Sequence, residues 1–123
     1  IASAGALATI KYMLEHDTQK NSKEMGKRLT EGISQAVEDS PVIAEIRGRG
    51  LMVAIETVVP DSIEPNAPAA AQLMEAARAS GLLIGKGGLY GNVIRIAPPL
   101  TVTAEEIDEG IAILNEAIKD LHN

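Results

Sequence analysis

The stretch Gly81-Leu82-Leu83-Ile84-Gly85-Lys86-Gly87-Gly88-Leu89-Tyr90-Gly91-Asn92-Val93-Ile94-Arg95-Ile96-Ala97-Pro98-Pro99 decides the fold class of this 123-residue chain. It reads as two short strands, residues 82–84 and 92–96, around a glycine-rich loop over residues 85–91. In the second strand, alternation puts Ile94 and Ile96 on one face and Val93 and Arg95 on the other. Helices flank this unit. Upstream, residues 69–80 carry Ala70, Leu73, Met74 and Ala77 on one side and stop at Gly81. Downstream, Thr103 and Glu106 form a capping box, and Ile107, Ile111, Leu114, Ile118 and Leu121 make an apolar stripe.

Working outward, a proline-rich acidic loop over residues 60–68 precedes the third helix, and a strand over residues 51–57 precedes the loop. Val42, Ile43 and Ile46 read as extended chain punctuated by Gly48 and Gly50. The first 40 residues are helical. Residues 2–15 place Leu7, Ile10, Met13 and Leu14 on one side. A second helix is expected to start at an Asn21 N-cap paired with Glu24, to bury Met25, Leu29, Ile33, Ala36 and Val37, and to end near Asp39-Ser40-Pro41. The two are expected to join with a kink around Asp17. The order helix, helix, strand, helix, strand, strand, helix predicts an α/β domain. Its form is a small sandwich, with a three- to four-stranded sheet and helices packed on one face.

Composition narrows the function. The net charge is −6, there is no Lys/Arg block, and Tyr12 and Tyr90 are the two aromatics, which argues against a nucleic-acid partner. No apolar run approaches the ~20 residues that span a bilayer, so no membrane role is expected. With no cysteine there is no disulfide scaffold and no Cys-ligated metal. A single soluble, cytoplasmic domain is the expectation. The chain begins Ile1-Ala2-Ser3-Ala4 and runs at once into helix, which leans towards a piece of a longer protein.

Few residues could carry chemistry. The loop over residues 85–91 contains Lys86 but matches neither phosphate-binding glycine pattern, and it leads into a strand instead of a helix N-terminus. Arg47-Gly48-Arg49-Gly50 reads as arginines at a tight turn, with a ligand-binding pair as the alternative. His16 and His122 read as solvated, and no metal site is expected. Arg95 stands apart because it sits in an apolar strand. A structural ion pair and a ligand carboxylate held by two parallel hydrogen bonds remain equally open for it.

Residues 81–100 resemble the C-terminal signature of class III aminotransferases, which use pyridoxal 5'-phosphate. Within that family they are similar to the alanine–glyoxylate and 4-aminobutyrate aminotransferase branch. Ile46-Arg47-Gly48-Arg49-Gly50-Leu51-Met52 and Ser3-Ala4-Gly5-Ala6-Leu7-Ala8-Thr9-Ile10 resemble two further family segments in the same order. The resemblance implies that residues 1–123 are one C-terminal small domain of a fold-type I enzyme, in a homodimeric parent. The cofactor would be bound by a large domain upstream and not by this chain, and the small domain would pack on that large domain. Substrates would be an amino acid or omega-amine donor and a 2-oxo acid such as pyruvate or glyoxylate. Arg95 matches the arginine that binds the substrate carboxylate, and no catalytic residue is carried over. The alternative is a free-standing ligand-binding or structural α/β domain without catalysis.

Overall fold

Two glycines meet where the long second helix crosses a hairpin turn. In this computed structural model, which describes residues 1–122, that helix is α2 (Thr18–Glu38) and the hairpin joins β1 (Ile43–Arg49) to β2 (Met52–Thr57). A Cβ placed on Gly26 would lie 2.1 Å from Gly50 O, so the helix and turn backbones touch with no side chain between them. Gly50 itself has φ +55, a conformation glycine adopts without strain. Ser22 Oγ accepts a hydrogen bond from Leu51 N at 3.2 Å beside this contact.

The rest of the chain supplies α1 (Ala2–Glu15), α3 (Ala67–Ala79), β3 (Gly85–Gly87), β4 (Val93–Ile96) and α4 (Ala104–Lys119), followed by a 3-10 turn over Asp120–His122. The sheet is antiparallel with strand order β1-β2-β4-β3. Val53, Ile55, Ile94 and Ile96 face the helices and are buried with Leu29 and Ile33 of α2, Leu73 of α3, and Ile107, Leu114 and Ile118 of α4. Helices α2 and α3 lie against the sheet, and α4 packs beside both. Each stripe recurs at three- and four-residue spacing, so the helices form because doing so buries one face. Local chemistry sets their ends. Asn66 caps α3 by accepting from Ala69 N at 3.0 Å, and the Thr103–Glu106 capping box opens α4. Arg28 Nε and Nη2 each lie 2.6 Å from a carboxylate oxygen of Asp108, clamping α2 to α4. The Arg28 hydrogen bonds hold the Asp108 carboxyl below its ordinary range.

The expected sandwich with helices on one face is present, and the helices break at Asp17, which adopts a left-handed conformation. Three local expectations are corrected. Helix α2 starts at Thr18, so Asn21 is inside it and is not its cap. The Asn21 amide instead donates to Leu100 O and Val102 O at 2.8 and 3.0 Å, while Glu24 lies near Lys20. The extended chain after Val42 is a full strand, β1, paired along β2. The short strand expected at residues 82–84 falls at Gly85–Gly87, where the glycine backbone pairs with β4. The expectation for the His122 side chain lies outside what is described.

Helix α1 buries no residue, and Leu7, Ile10 and Leu14 remain exposed. No helix among the described residues is long and apolar enough to cross a membrane.

The glycine contact yields a direct test. Gly26→Ala forces a methyl into Gly50 O and is expected to destabilise the chain by about 2–3 kcal/mol, despite alanine's better helix propensity. Gly110→Ala in α4, whose Cβ would meet only Leu82 Cδ1 at 4.0 Å, is expected to stabilise by up to ~1 kcal/mol. Denaturant titrations of both variants check the pair, and an unchanged Gly26→Ala midpoint would contradict the close approach.

Candidate functional site

The sheet face turned away from the helices carries Glu45, Arg47 and Arg49 of β1, Glu56 of β2 and Arg95 of β4. Antiparallel register aligns them in rows, because residues directly opposite share a face. One row runs Arg47, Ala54, Arg95 and Gly85, and the next runs Glu45, Glu56, Val93 and Gly87. Adjacent strands lie about 4.8 Å apart, so Arg47 and Arg95 stand roughly 10 Å from each other across Ala54. Ala54 is too small to fill that gap. On the far side, Gly85 and Gly87 place no side chain on this face. A Cβ on Gly85 would come 4.0 Å from Arg95 Nε, so the glycine leaves the Arg95 arm uncrowded.

The result is an open cavity of about 440 Å³ lined by Arg47, Arg49, Met52, Ala54, Gly88 and Arg95 among others. Three guanidinium groups border it in a chain of net charge −6. They are not equivalent. Arg47 Nη1 donates to Glu45 Oε1 and to Glu56 Oε2. Those hydrogen bonds, Glu56 first and Glu45 second, raise the Arg47 pKa further. Arg95 has no hydrogen bond or ion pair among the described residues, and its side chain is exposed. Among the described residues, therefore, none forms an ion pair with Arg95.

Behind Glu56 stands a buried polar knot. Asn92, 2% exposed, donates through Nδ2 to Thr57 O at 3.0 Å and to Glu56 Oε1 at 3.4 Å. Thr57 Oγ1 lies 2.7 Å from Asn66 O and 3.0 Å from Asn92 O. Thr57, bonded to both Asn66 and Asn92, thus ties the end of β2 to the cap of α3 and the start of β4 at one point. Glu45, Glu56 and Asn92 did not stand out in the sequence. Their roles follow from cross-strand register, and Asn92 and Glu56 are 36 positions apart.

The other candidates lie elsewhere. His16 sits at the exposed end of α1, stacked on Tyr12 with ring centroids 3.9 Å apart. Among the described residues no group of three or more His, Cys, Asp or Glu could hold a metal ion. Lys86 pairs with Ile94 in the register and so stands on the helix side of β3, opposite to Arg95. No lysine lines the arginine cavity, and the glycine loop ends in β4 and not in a helix N-terminus. These residues do not fit covalent anchorage of pyridoxal 5'-phosphate, which needs a lysine amine and a cradle for the phosphate.

Comparison with known proteins covers nearly all of the chain. The family profile described as Aminotransferase class-III matches residues 1–118. The 5-aminovalerate aminotransferase DavT of Pseudomonas putida is 39% identical over 121 residues, which are 98% of this chain and 28% of that protein. A 4-aminobutyrate aminotransferase of Mycobacterium bovis is 37% identical over 123 residues, 98% of this chain and 27% of that protein. Among solved structures, an aminotransferase of Bacillus anthracis superposes with a TM-score of 0.85 at 31% identity, covering 94% of this chain and 27% of that one. The chain therefore spans a little over a quarter of the length of these relatives.

The placement of Lys86 predicts a negative result. Mixing the chain with pyridoxal 5'-phosphate and reducing with borohydride should leave no stoichiometric, site-specific adduct on Lys86, as read by peptide mass mapping. A stoichiometric Lys86 adduct would contradict the assignment of the cofactor to residues outside this chain.

Proposed function

The chain belongs to the class-III aminotransferase family, and from that membership we propose that it serves a longer aminotransferase as its small, carboxylate-binding α/β domain. The observation that carries this reading is the unpartnered guanidinium of Arg95 on the open sheet face. Enzymes of this family use pyridoxal 5'-phosphate, which accepts and returns the amino group. The cofactor is held by residues outside this chain, a division supported by the poor fit of Lys86 and the glycine loop. The uncovered apolar side of α1 suits packing against that remaining part of the enzyme.

In this reading Arg95 binds the substrate carboxylate through two parallel hydrogen bonds and orients the molecule in the cavity. Its planar fork suits that task better than a lysine would. Ala54 and the glycines of β3 leave room beside it for the ligand. The relatives' names specify 5-aminovalerate and 4-aminobutyrate, and both carry a single carboxylate remote from the amine. We carry that class to this chain as the amino donor, with a 2-oxo acid such as pyruvate or glyoxylate as acceptor.

Substitution of Arg95 in the complete enzyme tests the proposal. Arg95→Ala is expected to lower kcat/KM for carboxylate substrates by about 10²–10³, from the loss of a bidentate charge-assisted contact. Arg95→Lys should lose less. An amine without a carboxylate should be little affected in its own half-reaction. Equal losses for an amino acid and its decarboxylated amine, tracking the melting temperature, would overturn the anchor role.

A further inference from the structure

Arg49 and Arg95 are both exposed, and neither has a hydrogen bond or ion pair among the described residues. One side chain stands between them. Met52 is the cross-strand partner of Arg49, and because Ala54 is the partner of Arg95, Met52 is also the diagonal neighbour of Arg95. Directly opposite residues lie about 5 Å apart and diagonal ones about 7–8 Å, within reach of long side chains. Met52 is 65% exposed and lines the same cavity as both arginines. The other methionines are better shielded: Met25 and Met74 pack against the core, and Met13 is half-buried on α1.

We propose that Met52 is an oxidation site on the open face, and that its sulfoxide occupies Arg95 and weakens carboxylate binding until it is reduced again. This rests on the reading of Arg95 as the carboxylate anchor. A face that admits a carboxylate substrate also admits hydrogen peroxide, which is smaller. In the forward step the peroxide O–O bond breaks, one oxygen forms a bond to the Met52 sulfur, sulfur gives up two electrons, and the other oxygen leaves as water. In the return step a methionine sulfoxide reductase supplies two electrons from its thiols and two protons, and the sulfoxide oxygen leaves as water. The thioether is apolar and a weak acceptor, so beside it both guanidiniums keep their donors for a ligand. The sulfoxide is polar. Set between two cations that lack other partners, its oxygen accepts their hydrogen bonds, and the Arg95 fork is no longer free for a carboxylate.

The test treats the complete enzyme with hydrogen peroxide, maps the added oxygen by peptide mass, and assays an amino acid beside its decarboxylated amine. Among the methionines of this chain, Met52 should gain oxygen first. Each protein is measured against its own untreated activity. On that scale kcat/KM for the amino acid is expected to fall about 10-fold more in the unsubstituted enzyme than in Met52→Leu, the size of one hydrogen bond to a charged group. The amine, which does not use Arg95, should lose equally in both proteins, and a methionine sulfoxide reductase should restore the amino acid activity. Met52→Gln, which puts a permanent amide oxygen at this position, should reproduce the loss without peroxide. Oxidation of Met25 or Met74 ahead of Met52 overturns the proposal. Equal losses in the two treated proteins overturn it, as does an unchanged preference for amino acid over amine in Met52→Gln. Losses shared by amino acid and amine that follow the melting temperature also overturn it, since they indicate damage to the fold. Arg95→Ala separates the two levels. If it spares the amino acid, the anchor itself is wrong and the effect of oxidation falls with it. If it removes the preference for the amino acid while Met52→Gln leaves that preference intact, the role of Met52 alone is wrong.

Discussion

The contact of Gly26 with Gly50 is the constraint on which the arrangement depends. A helix can lie on a hairpin turn at backbone distance only where neither partner has a side chain, and a Cβ here would fall 2.1 Å from a carbonyl oxygen. This fixes the height of α2 over the turn, and with it the point where β1 ends and β2 begins. The hairpin register then aligns Arg47 with Ala54, and the pairing of β2 with β4 aligns Ala54 with Arg95. Because strand side chains alternate, a slip of one residue would send Arg95 into the helices and an isoleucine onto the open face. The buried Ile55 and Ile94 rule out that slip.

The open face combines one satisfied arginine and one unsatisfied arginine on the same row. Surface ion pairs such as Arg47 with Glu45 and Glu56 contribute little to stability. The helix side carries the stability of the domain, through Leu29, Ile33, Leu73, Leu114 and Ile118, while the open side is free of that duty. This division allows the open face to change its charges without changing the fold.

Much of this was legible in the sequence, and the misses have common causes. The stripes of α2, α3 and α4 and the alternation in β2 and β4 are local periodic signals, and the faces they mark are the ones the structure buries, with Arg95 on the face opposite Ile94 and Ile96. Strand β1 was harder to see because Gly48 interrupts its pattern, yet a Cβ there would fall 2.2 Å from Met52 O, so the strand itself requires glycine. The apolar signal points to residues 82–84, whereas β3 lies at Gly85–Gly87, because its ladder uses glycine backbone, where strand propensity is low. Asn21 resembled a cap, but its amide is used 79 positions away at Leu100 O. The partners of Arg47 depend on register, which no single segment encodes. The resemblance to class III aminotransferases, stated on three segments, agrees with a family match over residues 1–118.

The central claim is that Arg95 receives a ligand carboxylate while Arg47 stays on its glutamates. A crystal structure of the complete enzyme with a bound carboxylate-bearing substrate analogue measures this most directly. The account predicts both carboxylate oxygens at about 2.7–2.9 Å from Arg95 nitrogens, with Glu45 and Glu56 still on Arg47. A carboxylate seated elsewhere with Arg95 left in solvent, or one seated on Arg47 with its glutamates displaced, would contradict it.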